Sequence, residues 1–152
     1  MLQDGVFPLR TADVDQAVEV WERSVRATHD FVSAADLELF RPLVRAELPT
    51  LPVFVAHDDV GKVAGFIGVS DGKVEMLFID PVWRGQGIGR RLMEYAINTL
   101  NATTVDVNEQ NEQALGFYLR LGFAVVGRSA VDGLGKPYPL LHMRLRAKAQ
   151  KV

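Results

Sequence analysis

The segment Asp80–Leu92, DPVWRGQGIGRRL, sets glycines at 85, 87 and 89 between Arg84 and the pair Arg90 and Arg91. Glycine loses more backbone freedom on folding than any other residue, so this density needs a return. The segment follows the strand-like run VEMLFID and opens a stretch of helical spacing. At a helix N-terminus several N–H groups lack internal acceptors and the dipole end is positive. Glycines there keep Cβ atoms away from an anion, and phosphate is the usual guest. One such contact is worth only about 0.3–1 kcal/mol when exposed. Holding a pyrophosphate therefore needs several N–H groups together with Arg84, Arg90 or Arg91. The dinucleotide pattern G-x-G-x-x-G fails, because Arg90 stands where its last glycine belongs, and the P-loop pattern is absent. On these residues alone, a tight turn and a phosphate cradle are both open. The three histidines are scattered without ligand spacing, so no metal site is expected.

The elements that must position these residues follow from periodicity. VFPLR is a short strand. From Asp13, apolar residues at Val14, Ala17, Val18, Trp21 and Val25 have helical spacing, and Asp13 with Gln16 resembles a capping box. Ser33–Asp36 starts a second helix with Leu37, Phe40 and Val44 on one face; Pro42 predicts a kink or restart near Arg41. Leu51–His57, KVAGFIGVS and GKVEMLFID read as strands, the last two joined at Asp71-Gly72. Ile88, Leu92, Ala96 and Leu100 mark a helix, and TTVDV a strand. Asn111 caps a further helix carrying Ala114, Phe117, Tyr118 and Leu121, ended by Gly122. FAVVGRSAV and PLLHMRLR close the chain as strands. The order is β-α-α-β-β-β-α-β-α-β-β, a mixed α/β architecture without a repeated β-α unit.

A chain of 152 residues fits one domain, here residues 1–152. Its 48% hydrophobic and 24% charged content is ordinary for a globular protein. A net charge of −2 gives no electrostatic reason to expect nucleic acid. The absence of cysteine excludes disulfides, thiolate metal sites and a cysteine-linked intermediate. MLQDGVFPLR has no signal-peptide pattern, and no apolar run approaches the ~20 residues of a membrane span. The expectation is a soluble, cytoplasmic protein, monomeric or homodimeric.

VEMLFIDPVWRGQGIGRRLMEYA resembles the acetyl-CoA-binding motif [RQ]-x-x-G-x-[GA] of the GNAT N-acetyltransferases, with Arg84, Gly87 and Gly89 in its places. VNEQNEQALGFYLRLGF is similar to the later N-x-x-A-x-x-F-Y-x-x-x-G-F segment of that family, met by Asn111, Ala114, Phe117, Tyr118, Gly122 and Phe123. RATHDFVSAADL and DGLGKPYPLL further resemble a subgroup of small bacterial GNAT proteins for which protein-lysine acetylation is proposed. The resemblance implies a mostly antiparallel sheet of about seven strands flanked by four helices, splayed between the fourth and fifth strands. It implies acetyl transfer from acetyl-CoA directly to a primary amine, in a ternary complex.

A lysine of pKa near 10.4 is neutral to about 1 part in 2,500 at pH 7, a deficit of about 4.6 kcal/mol, so a base is valuable. Glu75 is the candidate, by strand alternation on one face with Leu77 and Ile79, where apolar neighbours would raise its pKa. The resemblance implies that Tyr118 is the acid for the departing thiolate and that Leu77, Phe78 and Ile79 pair with pantetheine. It implies cofactor contacts from Arg84, Gly85, Gln86, Gly87, Ile88, Gly89, Arg90, Asn108, Asn111 and Tyr118. His29, Asp30 and His142 are acceptor-side candidates. Two other classes stay open: a non-catalytic acyl-CoA-binding or sensing module on the same fold, and a nucleotide or phosphosugar binder using the glycine turn.

Overall fold

The computed structural model describes residues 5–28 and 32–146. The chain resolves into two compact units, Met1–Ala102 and Thr103–Val152. In the first unit, β1 (Val6–Pro8), α1 (Val14–Thr28), α2 (Ala34–Glu47), β2 (Val53–His57), β3 (Val63–Ser70), β4 (Lys73–Ile79) and α3 (Ile88–Thr99) follow one another along the chain. The four strands pair in chain order, each antiparallel to the next. Every residue from Val63 to Val69 is buried, and α1 and α3 both pack against β3. That is why this strand reads as a continuous apolar run rather than an alternating one. α1 contributes Ala17, Val18, Val20, Trp21 and Val25 to the core; α3 contributes Ile88, Leu92, Met93 and Ala96.

Two expectations for the helices change. Asp13 and Gln16 do not form a capping box with each other. The Asp13 carboxylate accepts from the Arg10 backbone N–H at 3.0 Å and from its guanidinium, while Gln16 Oε1 accepts from Val63 N at 2.8 Å. Asp13 thus closes the short 3-10 turn Thr11–Asp13 that leads into α1, and Gln16 ties α1 to the start of β3. Burial alone would push the Asp13 carboxyl up, but the hydrogen bonds and charge of Arg10 hold it below its ordinary value. α2 runs unbroken through Pro42 rather than restarting near Arg41. Pro42 is exposed, and Ser33 caps the helix with its side chain on Asp36 N at 3.1 Å.

In the second unit, β5 (Thr104–Asn108), α4 (Glu112–Arg120), β6 (Phe123–Ser129) and β7 (Leu140–Leu145) follow. β7 lies between β5 and β6, antiparallel to both. Val105, Val107, Phe123, Tyr138 and Met143 are buried with Tyr118 of α4. The alternate positions Asp106, Asn108 and His142 are half-buried. Gly122 ends α4 at φ 102°, the left-handed conformation that glycine supplies without a Cβ clash. The described residues therefore form seven strands and four α-helices in the expected order.

Candidate active site

The glycine segment is launched by a buried carboxylate. Asp80 is only 7% exposed, and its N–H donates to Ala64 O at 2.8 Å. Its Oδ1 accepts from Val82 N at 3.2 Å, capping the 3-10 turn Pro81–Trp83. Its Oδ2 accepts two hydrogen bonds from Arg23 of α1, at 3.0 Å from Nε and 2.7 Å from Nη2. A buried carboxylate is tolerable when paired and hydrogen-bonded in this way. The turn then passes through Gly85 at φ 79° and Gly87 at φ 83° into α3, whose N-cap is Gly87. A Cβ at either position would meet nothing within 4 Å. Backbone conformation, not crowding, is what demands glycine at 85 and 87; a side chain there costs about 1–2 kcal/mol. Gly89 lies within the first turn of α3.

The first helical bond of α3 runs from Arg91 N to Gly87 O at 3.0 Å. The N–H groups of Ile88, Gly89 and Arg90 thus stand at the open end of the helix. Around them is an open depression of about 650 Å³ lined by Gly5, Gln86, Gly87, Arg90, Arg91 and Glu94. Arg84 is exposed and is not among the lining residues; Arg91 takes that place. Arg90 lies 3.7 Å from Glu94. N–H groups, two guanidinium groups and a helix N-terminus together suit a pyrophosphate.

Leu77, Phe78 and Ile79 are half-buried at the end of β4, paired with Ile67, Phe66 and Gly65 of β3. Glu75 departs from its expected surroundings. The register passes from Met76 opposite Gly68 to Val74 opposite Val69, leaving Glu75 as the extra residue of a bulge. Its neighbours Val74 and Met76 are buried and Glu75 is exposed, so it does not sit among apolar groups. A second carboxylate that the periodicity did not single out, Glu47 at the end of α2, has its pKa raised by burial and then by the charge of Glu75.

In the second unit, Asn111 Oδ1 accepts from Ala114 N at 3.1 Å, as a cap should, and Asn111 N donates to Asn108 O at 3.0 Å. The side-chain oxygen of Asn108 is buried without a hydrogen-bond partner, an acceptor in want of a donor. Tyr118 is buried and edge-on to Phe117 and Phe123, with ring centroids at 5.2 and 5.8 Å. Burial pushes its phenol further up from the ordinary tyrosine value, so the group stays neutral well into alkali. His142 is held between Asp106, at 2.7 Å from Nδ1, and Ser129, at 2.7 Å from Nε2. Asp106, Ser129, Arg23 and Asp80 carry no motif that marks these contacts, since each pairing joins residues far apart in the chain. His29 and Asp30 lie outside the described residues. Among the described residues no group of three His, Asp or Glu side chains is placed to hold a metal ion, and no helix is long and apolar enough to cross a membrane.

Comparison with known proteins identifies the family. A family model described as an acetyltransferase (GNAT) domain matches residues 18–146. The chain is 48% identical over 134 residues to the peptidyl-lysine N-acetyltransferase YjaB of Escherichia coli strain K12, covering 88% of this chain and 91% of that one. It is 30% identical over 117 residues to the peptidyl-lysine N-acetyltransferase YiaC of the same strain, covering 76% and 80%. The solution structure of apo-form YjaB from Escherichia coli superposes with a TM-score of 0.85, covering 91% of this chain and 95% of that one at 47% identity.

Proposed function

The chain belongs to the GNAT acetyltransferase family, and from that premise we propose that it moves an acetyl group from acetyl-CoA to the side-chain amine of a peptidyl lysine. It is an N-acetyltransferase; the lysine acceptor is the finer reading, supported by the names of its YjaB and YiaC relatives. The family match runs through both units, which supports one acetyltransferase domain over the whole chain. The observation that carries the donor half is the left-handed Gly85 and Gly87 leading into the open N-terminus of α3, beside Arg90 and Arg91. On this reading Gln86, Gly87, Arg90 and Arg91, with the open N–H groups of Ile88 and Gly89, hold the pyrophosphate, while Arg84 and Gly85 belong to the turn that leads into the site. Leu77, Phe78 and Ile79 offer strand backbone to the pantetheine amides, and the orphaned Asn108 oxygen receives an N–H from the same arm.

Acetyl-CoA supplies the thioester whose carbonyl carbon the amine attacks. The C–N bond forms as the C–S bond breaks, and the Tyr118 phenol gives its proton to the departing sulfur. Glu75, exposed beside Glu47, draws a cationic acceptor and passes protons on to water. His142 is read as an acceptor-side residue, and His29 and Asp30 are candidates for the same role from the sequence alone. The site of action is the cytoplasm, where acetyl-CoA and protein lysines meet.

The test is release of free CoA thiol from acetyl-CoA across lysine peptides, polyamines, aminoglycosides and amino acids. Turnover greatest with lysine peptides supports the reading. Tight acetyl-CoA binding without turnover on any amine would instead favour an acyl-CoA sensor. Competition by ATP equal to that by desulfo-CoA would favour a nucleotide binder.

A further inference from the structure

Three adjacent strands of the second unit bring Asp106, His142 and Ser129 into one connected line. Asp106 and His142 are directly opposite in the β5–β7 register. On the other side of β7, the register of β6 shifts between Val125 and Gly127, which sets Gly127 opposite His142. A Cβ at Gly127 would lie 3.5 Å from His142 Cδ2, so the ring lies against a strand bare of side chain at that point. Ser129, two residues further along β6, then reaches Nε2 at 2.7 Å while Asp106 Oδ1 stands 2.7 Å from Nδ1.

The chemistry of this line is directional. A carboxylate only accepts, so Nδ1 carries the hydrogen toward Asp106 and the lone pair falls on Nε2, facing the Ser129 hydroxyl. The buried side of these strands is filled by Val105, Val107 and Met143, whereas the side chain of His142 is 35% exposed and that of Asp106 23%. The line is therefore fixed at one end and reachable from solvent. Of the other titratable groups on these strands, Arg128 of β6 is held by Glu109 at 2.8 and 3.0 Å, and Arg144 of β7 is exposed. Neither competes for Nε2.

We propose that Ser129 and His142 take the proton from the acceptor ammonium, with Asp106 positioning the ring; this rests on the N-acetyltransferase reading. The ammonium N–H bond breaks and its proton passes to Ser129 Oγ as the hydroxyl proton moves to His142 Nε2. The amine is left with a free electron pair for attack, and the imidazolium faces the Asp106 carboxylate until water takes the proton away. Imidazole is suited to this task because histidine ordinarily titrates between pH 5 and 8.

The experiment measures kcat/KM for an N-terminally capped lysine peptide at saturating acetyl-CoA from pH 6 to 10, on the full chain. His142→Gln is expected to lose at least tenfold at pH 7 and to approach wild type near pH 10, where lysine supplies its own free amine. Acetyl-CoA affinity stays within twofold. Asp106→Asn keeps the ring but removes the carboxylate opposite Nδ1, so its acid limb moves while acetyl-CoA affinity is kept. Ser129→Ala loses severalfold at pH 7, and Glu75→Gln loses less than His142→Gln. A His142→Gln loss below twofold, a loss constant with pH, or an acid limb abolished by Glu75→Gln instead overturns the proposal. Should His142→Gln not fold, an acid limb unmoved by both Asp106→Asn and Ser129→Ala overturns it equally. Wild type that binds acetyl-CoA and turns over no amine overturns the acetyltransferase reading itself, which the variant profiles alone do not.

Discussion

The segment from Asp80 to Gly89 and the line Asp106–His142–Ser129 are built by opposite means. The first is made of consecutive residues whose backbone does the work: a capped turn, two left-handed glycines and an open helix end. The second is made of side chains from three strands, its members 36 and 13 positions apart in the chain. A backbone site tolerates change in the side chains around it and fails when its φ angles are blocked. A cross-strand site fails when one side chain or the register of one strand changes. The comparison teaches that the proposed donor site is local in sequence, whereas the proposed proton relay depends on how the strands are paired.

The comparison can be broken most directly at the glycines. Replacing Gly85 and Gly87 together by valine forces two β-branched residues into left-handed backbone, at about 1–2 kcal/mol each. Acetyl-CoA affinity should fall by about thirtyfold or more, measured by calorimetry, with kcat at saturation far less affected. A kcat loss with unchanged affinity would show that the loop serves chemistry rather than holding. Next in size, Tyr118→Phe should lower turnover at least tenfold while acetyl-CoA binding stays nearly intact; unchanged turnover removes Tyr118 from the mechanism.

A smaller effect tests how the loop is anchored. Arg23→Ala removes both hydrogen bonds to Asp80 Oδ2, yet the Arg23 side chain is 49% exposed, and pairs of that kind are worth only about 0.2–1 kcal/mol. The KM for acetyl-CoA should rise about twofold to fivefold with kcat kept, and Arg23→Lys should recover part of it. A fall in kcat without a change in KM would contradict anchoring.

The smallest effect is on stability in alkali. Burial raises the Tyr118 pKa above its unfolded value, so the unfolded chain ionises first. Stability from this group is complete below about pH 10, the ordinary tyrosine value, and is lost as pH rises beyond it. Thermal melts from pH 9 to 11 should show a shallower decline for Tyr118→Phe than for wild type.

Local patterns proved readable where one physical cause acts within a few residues. Ser33, Asn111 and Gly122 begin and end helices as their side chains and conformations require. Asp13 was expected to share a capping box with Gln16, but its carboxylate takes Arg10 and Gln16 takes Val63 N, partners that only the path into α1 and β3 decides. Pro42 was expected to kink or restart α2 near Arg41; the helix does not restart there and runs on through Pro42 at an exposed position. For Glu75, strand alternation presumed unbroken register, and the bulge opposite Gly68 and Val69 leaves the residue out of the pairing.

The amino-acid sequence by itself determined the segments proposed to hold the donor: a glycine-rich entry to a helix after a strand, and the later Asn111–Phe123 segment that bears Tyr118. Those features depend on backbone freedom, capping and helical period, which are properties of neighbouring residues. Only the tertiary structure decided that Arg23 anchors Asp80, that Glu75 stands exposed at a bulge and that His142 is strung between Asp106 and Ser129. The physical reason is register. A shift of one residue between paired strands turns side chains to the other face, and nothing in the spacing of residues 106, 129 and 142 states which register the strands adopt.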